Sequence, residues 1–249
     1  MISAGIDLAA EPKGTALALI EFSNNKAKLY SLEQGLDDNA LIANTHNADK
    51  VGIDCAFGWP IQFAQFVNNH QDLSNKELID GGMDYRRELS FRETDREIKR
   101  LTGRWPLSVS TDRLGLTAIR CAGLLSKYQA KGIEIDRSGS KLLVEVYPGA
   151  TLRNWNFDTT GYRINPETRA LLLEQLEIQA PWLELASFRT QMIESADSFD
   201  AVIAALAARA VYQDDYNKPT EEQLESARVE GWICLPDSEL QELFIGPKN

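Results

Sequence analysis

Ile2-Ser3-Ala4-Gly5-Ile6-Asp7-Leu8, the turn Glu11-Pro12-Lys13-Gly14, and the run Thr15-Ala16-Leu17-Ala18-Leu19-Ile20-Glu21-Phe22 decide the fold. Two apolar runs of strand length flanking Pro/Gly turn chemistry read as consecutive strands. Lys26 to Leu32 alternates in polarity, as a third, half-exposed strand would. Asp37 and Asp38 suit the start of a helix over Asp38 to Thr45. Lys50 to Ala56 is another strand, ended by Phe57-Gly58-Trp59-Pro60. Residues 61–131 are mainly helical and polar, and the clearest helix runs from Arg113 to Ala130 with Leu114, Ala118, Cys121, Leu124 and Leu125 at helical spacing. Lys141 to Tyr147 is a fifth strand ended by Pro148-Gly149, and Pro166 opens a helix at its tolerated first turn. An Ala-rich apolar helix spans Asp197 to Tyr212, Gly231 to Pro236 has the makings of a short strand, and an acidic helix closes the chain. A three-strand meander followed by crossover strands implies an α/β protein with a mixed sheet flanked by helices. No repeat or linker divides the chain, so residues 1–249 are expected to form one domain with a helical insertion at about 61–131.

Composition narrows the function. The net charge of −11 argues against a protein that coats long nucleic acid, because such binding rests on Lys and Arg releasing counterions. It is compatible with a local basic surface and with a site that gathers carboxylates. No apolar run reaches the ~20 residues of a membrane span, and MISAGIDLAAEPKG has no signal-peptide pattern, so a cytoplasmic protein without membrane contact is expected. Cys55, Cys121 and Cys234 are odd in number and far apart, and only His46 and His70 are available. A disulfide framework and a zinc site are therefore not expected.

Asp7 sits inside an apolar strand after Gly5-Ile6, and Asp54 repeats the pattern in Val51-Gly52-Ile53-Asp54. Glu145 lies within Leu142-Leu143-Val144-Glu145-Val146-Tyr147. A carboxylate in such a strand is costly to bury unless it is paired or bound to a cation. Asp197 and Asp200 are three residues apart and share a helix face. One of them serves readily as an N-cap or first-turn acid. Ala201, Ala204, Ala205 and Ala208 would let the same helix approach the sheet and carry an Asp to Asp7. Oxygen-only ligands suit Mg²⁺ or Mn²⁺, with Asp7, Asp54, Asp197 and Asp200 as candidate ligands and Glu145 as an alternative to Asp54 in completing the site.

From Asp84 to Arg113 eight basic residues face six acidic ones, a local positive surplus in an acidic chain. A salt-bridged, solvated helix explains this as well as a phosphate-contacting surface does. In the second case Arg92 and Arg113 are the candidate substrate-binding residues, with Asp95 orienting one of them. Trp59, Tyr147 and Trp232 lie beside strand ends, where filling the core is the commoner role and stacking on bases the rarer one.

The blocks GIDLA (Gly5–Ala9), GIDCAFGWP (Gly52–Pro60), FRETD (Phe91–Asp95), VEVYPGA (Val144–Ala150), DSFDAVIAALAA (Asp197–Ala208) and EGWICLP (Glu230–Pro236) resemble a domain-of-unknown-function family described as nucleases of the RNase H-like fold. The DSFDA block is also similar to the last acidic helix of RuvC-type junction resolvases. The resemblance implies an RNase H-like mixed sheet, with Asp7 as the first-strand acid and Asp197 and Asp200 as the helix acids. It implies a metal-dependent hydrolase of phosphodiester bonds in DNA or RNA, with catalytic residues Asp7, Asp54, Glu145 and Asp200. The same superfamily includes actin- and hexokinase-like ATP-binding proteins. Here the first hairpin, Ala9 to Thr15, carries one Gly and an acid where phosphate would approach, so nucleotide binding is the alternative. A non-catalytic binding module on the same fold is a third.

Overall fold

The computed structural model describes residues 1–23, 26–74 and 81–244. Strands β1 (Ile2–Asp7), β2 (Ala16–Ser23) and β3 (Lys26–Gln34) form the antiparallel meander, joined at its first turn by a 3₁₀ turn over Pro12–Gly14. Helix α1 (Asp38–Asn44), capped by the Asp37 side chain on Ala40 N–H, leads into β4 (Lys50–Asp54), which pairs parallel with β1. The intervening helices are α2 (Ile61–Asn69), α3 (Met83–Ser90), α4 (Glu93–Thr102) and α5 (Gly115–Ala130). Strand β5 (Leu143–Val146) then adds in parallel to β4.

Beyond it come α6 (Pro148–Asn154), α7 (Pro166–Gln179), the two-residue β6 (Leu183–Glu184), α8 (Arg189–Glu194), α9 (Ala196–Tyr212) and α10 (Glu221–Glu230). The six-stranded mixed sheet has the order β5-β4-β1-β2-β3-β6. Among the described residues no helix is long and apolar enough to cross a membrane.

Side chains alternate across the sheet, so each face has its own core. Ala4, Ile6, Val51, Ile53 and Leu143 pack with Cys121, Leu124, Leu125 and Tyr128 of α5. On the other face Ala16, Ala18 and Ile20 pack with Phe199, Val202 and Leu206 of α9 and with Leu172 and Leu176 of α7. Helix α9 is buried nearly all round, which is why its sequence lacks an amphipathic stripe.

Several expectations are corrected. Gly231–Pro236 is not a full strand: Ile233 makes one isolated parallel bridge to Glu145, and Pro236 one to Tyr216, because Pro and Gly at its ends interrupt the ladder. The closing acidic helix is a 3₁₀ turn over Leu240–Phe244, and the part of it at 245–249 lies outside the described residues. Pro148-Gly149 ends β5, as expected, and also opens α6, since Pro is tolerated at a helix's first turn. Strand β6 is too short to leave a periodic signal.

Candidate functional site

Glycines set the geometry of the site. A Cβ on Gly5 would collide with the backbone of Ala201 and Ala205, and one on Gly52 would lie 2.6 Å from the carbonyl oxygen of Ala204. Bare backbone on β1 and β4 and alanines on α9 therefore allow helix and sheet to approach beyond normal side-chain packing. Ser3 Oγ donates to the Ala205 carbonyl across the same seam. This contact fixes where the first turn of α9 meets the strand ends.

The result is a carboxylate cluster at the carboxyl ends of the two central parallel strands. Asp7 and Asp54 are register partners, the last residues of β1 and β4, and so project on one face. Asp200 reaches that face from α9 and is wholly buried, Asp7 is nearly so, and Asp54 is half-buried. Asp197 stands at the rim in the first turn of α9; the N-cap is Ser195, whose Oγ accepts from Ser198 N–H at 3.1 Å.

One cation pairs with three of the four. Arg163, in the loop before α7, donates through Nη1 to Asp200 Oδ2, and through Nη2 to Asp7 Oδ2 at 3.5 Å and Asp197 Oδ1 at 3.4 Å. Tyr162 Oη donates to Asp200 Oδ1 at 2.8 Å. Burial, with the charge of Asp200 behind it, holds the Tyr162 phenol above its usual range, so it remains a donor.

A single half-exposed arginine does not neutralise four acids. Burial, reinforced by Asp54 and Asp200, raises the Asp7 pKa well above the usual carboxylate range. Burial and the Asp200 charge push Asp54 up to about 8. Asp200 is raised to about 6 by burial, with Arg163 and the Tyr162 hydrogen bond opposing. Among the described residues no group of three or more acidic, His or Cys side chains is arranged to hold a metal ion as it stands, and Arg163 occupies the space between the carboxylates.

Glu145 belongs to a different constellation. It pairs in register with Ile53 rather than with Asp54, so it projects to the opposite face from Asp7 and Asp54. There its Oε1 and Oε2 accept from Arg92 Nη2 at 2.8 Å and Nη1 at 2.9 Å, and Oε2 also accepts from Phe57 N–H at 2.9 Å. Asp95 grips the other edge of Arg92, accepting from Nε at 3.1 Å and Nη2 at 2.9 Å, and Nη1 also donates to the Glu230 carbonyl at 3.1 Å. Arg92 is 3% exposed, and all five of its N–H groups have protein acceptors, so none is left for a phosphate. Asp95 does orient an arginine, and that arginine is a structural strut.

Both constellations border one cavity of about 340 Å³, whose wall includes Asp7, Asp54, Arg113, Tyr147 and Arg163. Trp232 is core, with Nε1 bonded to Asn217 O at 2.6 Å, and Trp59 is partly buried against Ala56, Val109 and Ala118. Arg163 and Tyr162 escaped the sequence reading because they lie in an aperiodic stretch. A Tyr-Arg pair just after Gly161 carries no local sign of the carboxylates it will meet.

Fold and site together define a mixed α/β protein with an under-neutralised acidic cleft where its central parallel strands end. Residues 5–224 match the family model described as "Protein of unknown function (DUF429)", and the chain belongs to that family. No curated protein and no solved structure matches it.

Proposed function

We propose that this protein is a divalent-metal-dependent phosphodiesterase of nuclease type on an RNase H-like fold. The observation that carries the reading is the side-by-side placement of Asp7 and Asp54 with Asp197 and buried Asp200 close by, four carboxylates of which Arg163 pairs with Asp7, Asp197 and Asp200. Support for the fold comes from the run β3-β2-β1-β4-β5, with β2 antiparallel to both neighbours. The chain leaves β1 towards β2 on one side and returns as β4 on the other. Ligands in open α/β sheets favour the crevice at such a switch point, outside the carboxyl ends of the strands.

The donor set fits a hard cation: the ligands are oxygen only, and neutralisation would relieve the repulsion that raises the carboxyl pKa values of Asp7 and Asp54. Asp7, Asp54, Asp200 and Asp197 would hold Mg²⁺ or Mn²⁺, and the bound ion would supply water activation and stabilisation of a leaving oxygen. Arg163 is the resident cation, and binding of such an ion by Asp200 and Asp7 would require Arg163 to release them. Its half-exposed side chain and loop position leave it room to do so. Released, it is a fork-shaped donor beside the cleft, suited to a phosphate.

The hairpin from Ala9 to Thr15 favours this over nucleotide binding by the loop. Ala9 N–H bonds Thr15 Oγ1 at 3.3 Å, Gly14 N–H bonds Glu11 O at 3.3 Å, and Arg120 Nη1 holds Thr15 Oγ1 at 2.6 Å. Those donors are committed within the protein. The test is Mn²⁺ binding by calorimetry together with cleavage of DNA and RNA oligonucleotides, for the native chain and for Asp7→Asn and Asp54→Asn. Metal binding and cleavage that both vanish in folded variants support the reading, whereas either one surviving undiminished in both variants sinks it. A chain that binds no metal and cleaves nothing is a binding module.

A further inference from the structure

We infer that the cavity takes a small phosphate ester the size of one nucleoside monophosphate, held by Arg113, rather than a length of duplex. The cavity's size comes first. At about 340 Å³ it lies at the small end of ligand sites, which run from ~300 to ~1,000 Å³, and it is a partly open cleft lined by residues from several elements. One nucleotide fits that space, and a base-paired stack does not. The charge agrees: at −11 the chain as a whole repels a polyanion, and only a local cation can hold a phosphate.

Arg113 is that cation. Arg92 is saturated, Arg120 is tied to Asp38, Ala9, Thr15 and Leu36, and Arg163 is engaged by Asp7, Asp197 and Asp200 unless a metal takes those carboxylates, which leaves Arg113 as the anchor that does not wait on the metal. Arg113 makes no hydrogen bond or ion pair among the described residues, yet it lines the cavity. Its neighbour Asp112 is turned to another task, accepting from Ser108 N–H at 2.7 Å.

The loop that presents Arg113 is built rather than loose. Ser108 Oγ donates to Ser90 O at 2.6 Å and accepts from Ser110 N–H and Thr111 N–H, while Trp105 stacks on Phe91 with ring centroids 4.1 Å apart. Between Trp105 and Arg113 the same loop contributes Pro106 and Leu107 to the cavity lining. With Leu8 and Tyr147 they give the cavity apolar surface on which a base or similar flat group can pack. An anion anchor, an apolar wall and a carboxylate cluster in one small cavity specify a phosphate ester carrying a flat apolar group.

The identity of the cavity's ligand deepens the phosphodiesterase reading but is tested separately from it. Calorimetric titration of the full chain with AMP, CMP, inorganic phosphate and a blunt DNA duplex, in magnesium and in chelator, is the experiment. Saturable binding of a nucleoside monophosphate is expected, tighter than inorganic phosphate and not displaced by the duplex. Arg113→Ala should weaken it about 10- to 100-fold, the worth of one charge-assisted phosphate contact, without moving the thermal melt. Arg113→Lys should restore part of the loss. No saturable nucleotide binding, binding indifferent to Arg113→Ala, phosphate binding as tightly as nucleotide, or displacement by duplex each overturns the inference. Metal binding that depends on Asp54 without nucleotide binding removes this inference alone. Nucleotide binding that depends on Arg113 without any metal binding removes the metal reading alone.

Discussion

Two arginine–carboxylate constellations lie within one cleft, and they are opposites. Around Arg92 two carboxylates, Asp95 and Glu145, meet one guanidinium with every donor used, and the whole set is sealed from water. Around Arg163 three carboxylates, Asp7, Asp197 and Asp200, share a guanidinium that is half in solvent, and Asp54 stands beside Asp7 in register. The first has every guanidinium donor used and ties α4 to β5 and to the end of α10, although burial, with Asp95 sharing the one arginine, still holds the Glu145 pKa above its usual value. The second is short of positive charge at the carboxyl ends of the central parallel strands. A buried polar network that is fully satisfied specifies structure, whereas one left under-neutralised stores a preference for a further cation.

Breaking the hydrogen-bond-saturated network should cost most. Arg92→Ala leaves Glu145 and Asp95 buried without a counter-charge, and about 3–5 kcal/mol of stability should be lost in urea titration. A loss below about 1 kcal/mol would mean that the network is not a strut. Gly231→Ala strikes the same network from the backbone, because Gly231 has φ +96° and its added Cβ would run into Glu145 Oε2. It should cost about 1–3 kcal/mol by the same assay.

At the other constellation removal of charge should stabilise. Asp54→Asn in chelator at pH 8 should raise stability by about 1–2 kcal/mol, roughly 2–8 °C in melting temperature, while abolishing metal binding. A melting temperature that falls instead would show that the four acids are not in conflict.

The pH dependence follows the same sign. Asp54 has its folded pKa raised from 3.8 to about 8, so the folded state binds more protons than the unfolded one between those values. The contribution of Asp54 is therefore fully present at low pH and is lost as pH rises towards 8. Melting in chelator from pH 5 to 8 should show this decline, with a shallower slope for Asp54→Asn and a reversed trend once Mn²⁺ is added.

The smallest effect is expected for Arg163→Ala. Its partly exposed pairs contribute about 1 kcal/mol or less to stability. Manganese affinity should rise in this variant, because the resident cation no longer competes. Weaker manganese binding would instead make Arg163 a partner of the metal site.

The carboxylates on which this comparison turns were visible as exceptions to local pattern. Asp7, Asp54 and Glu145 interrupt apolar strands, and the alanines of α9 announce a helix that approaches the sheet. Strand runs and turn chemistry are local properties, so the meander, β4 and the buried α9 could be read from composition and period alone. Which acids share a face is not local. Glu145 looks equivalent to Asp54 along the chain, yet register places it beside Ile53, one residue out of step, and a one-residue offset turns a strand side chain to the other face. The pairing of Arg92 with Glu145 spans 53 positions, and Arg163 meets Asp7 across 156.

The sequence by itself therefore determined that buried acids exist and need neutralising, because a charge in an apolar strand is costly wherever the strand goes. Only the tertiary structure decided how each is neutralised: Glu145 through both its oxygens by Arg92, which Asp95 shares, and Asp7, Asp54 and Asp200 in part by Arg163. Neutralisation depends on distance in space, and that distance is set by sheet register and by the close seating of α9 on Gly5 and Gly52.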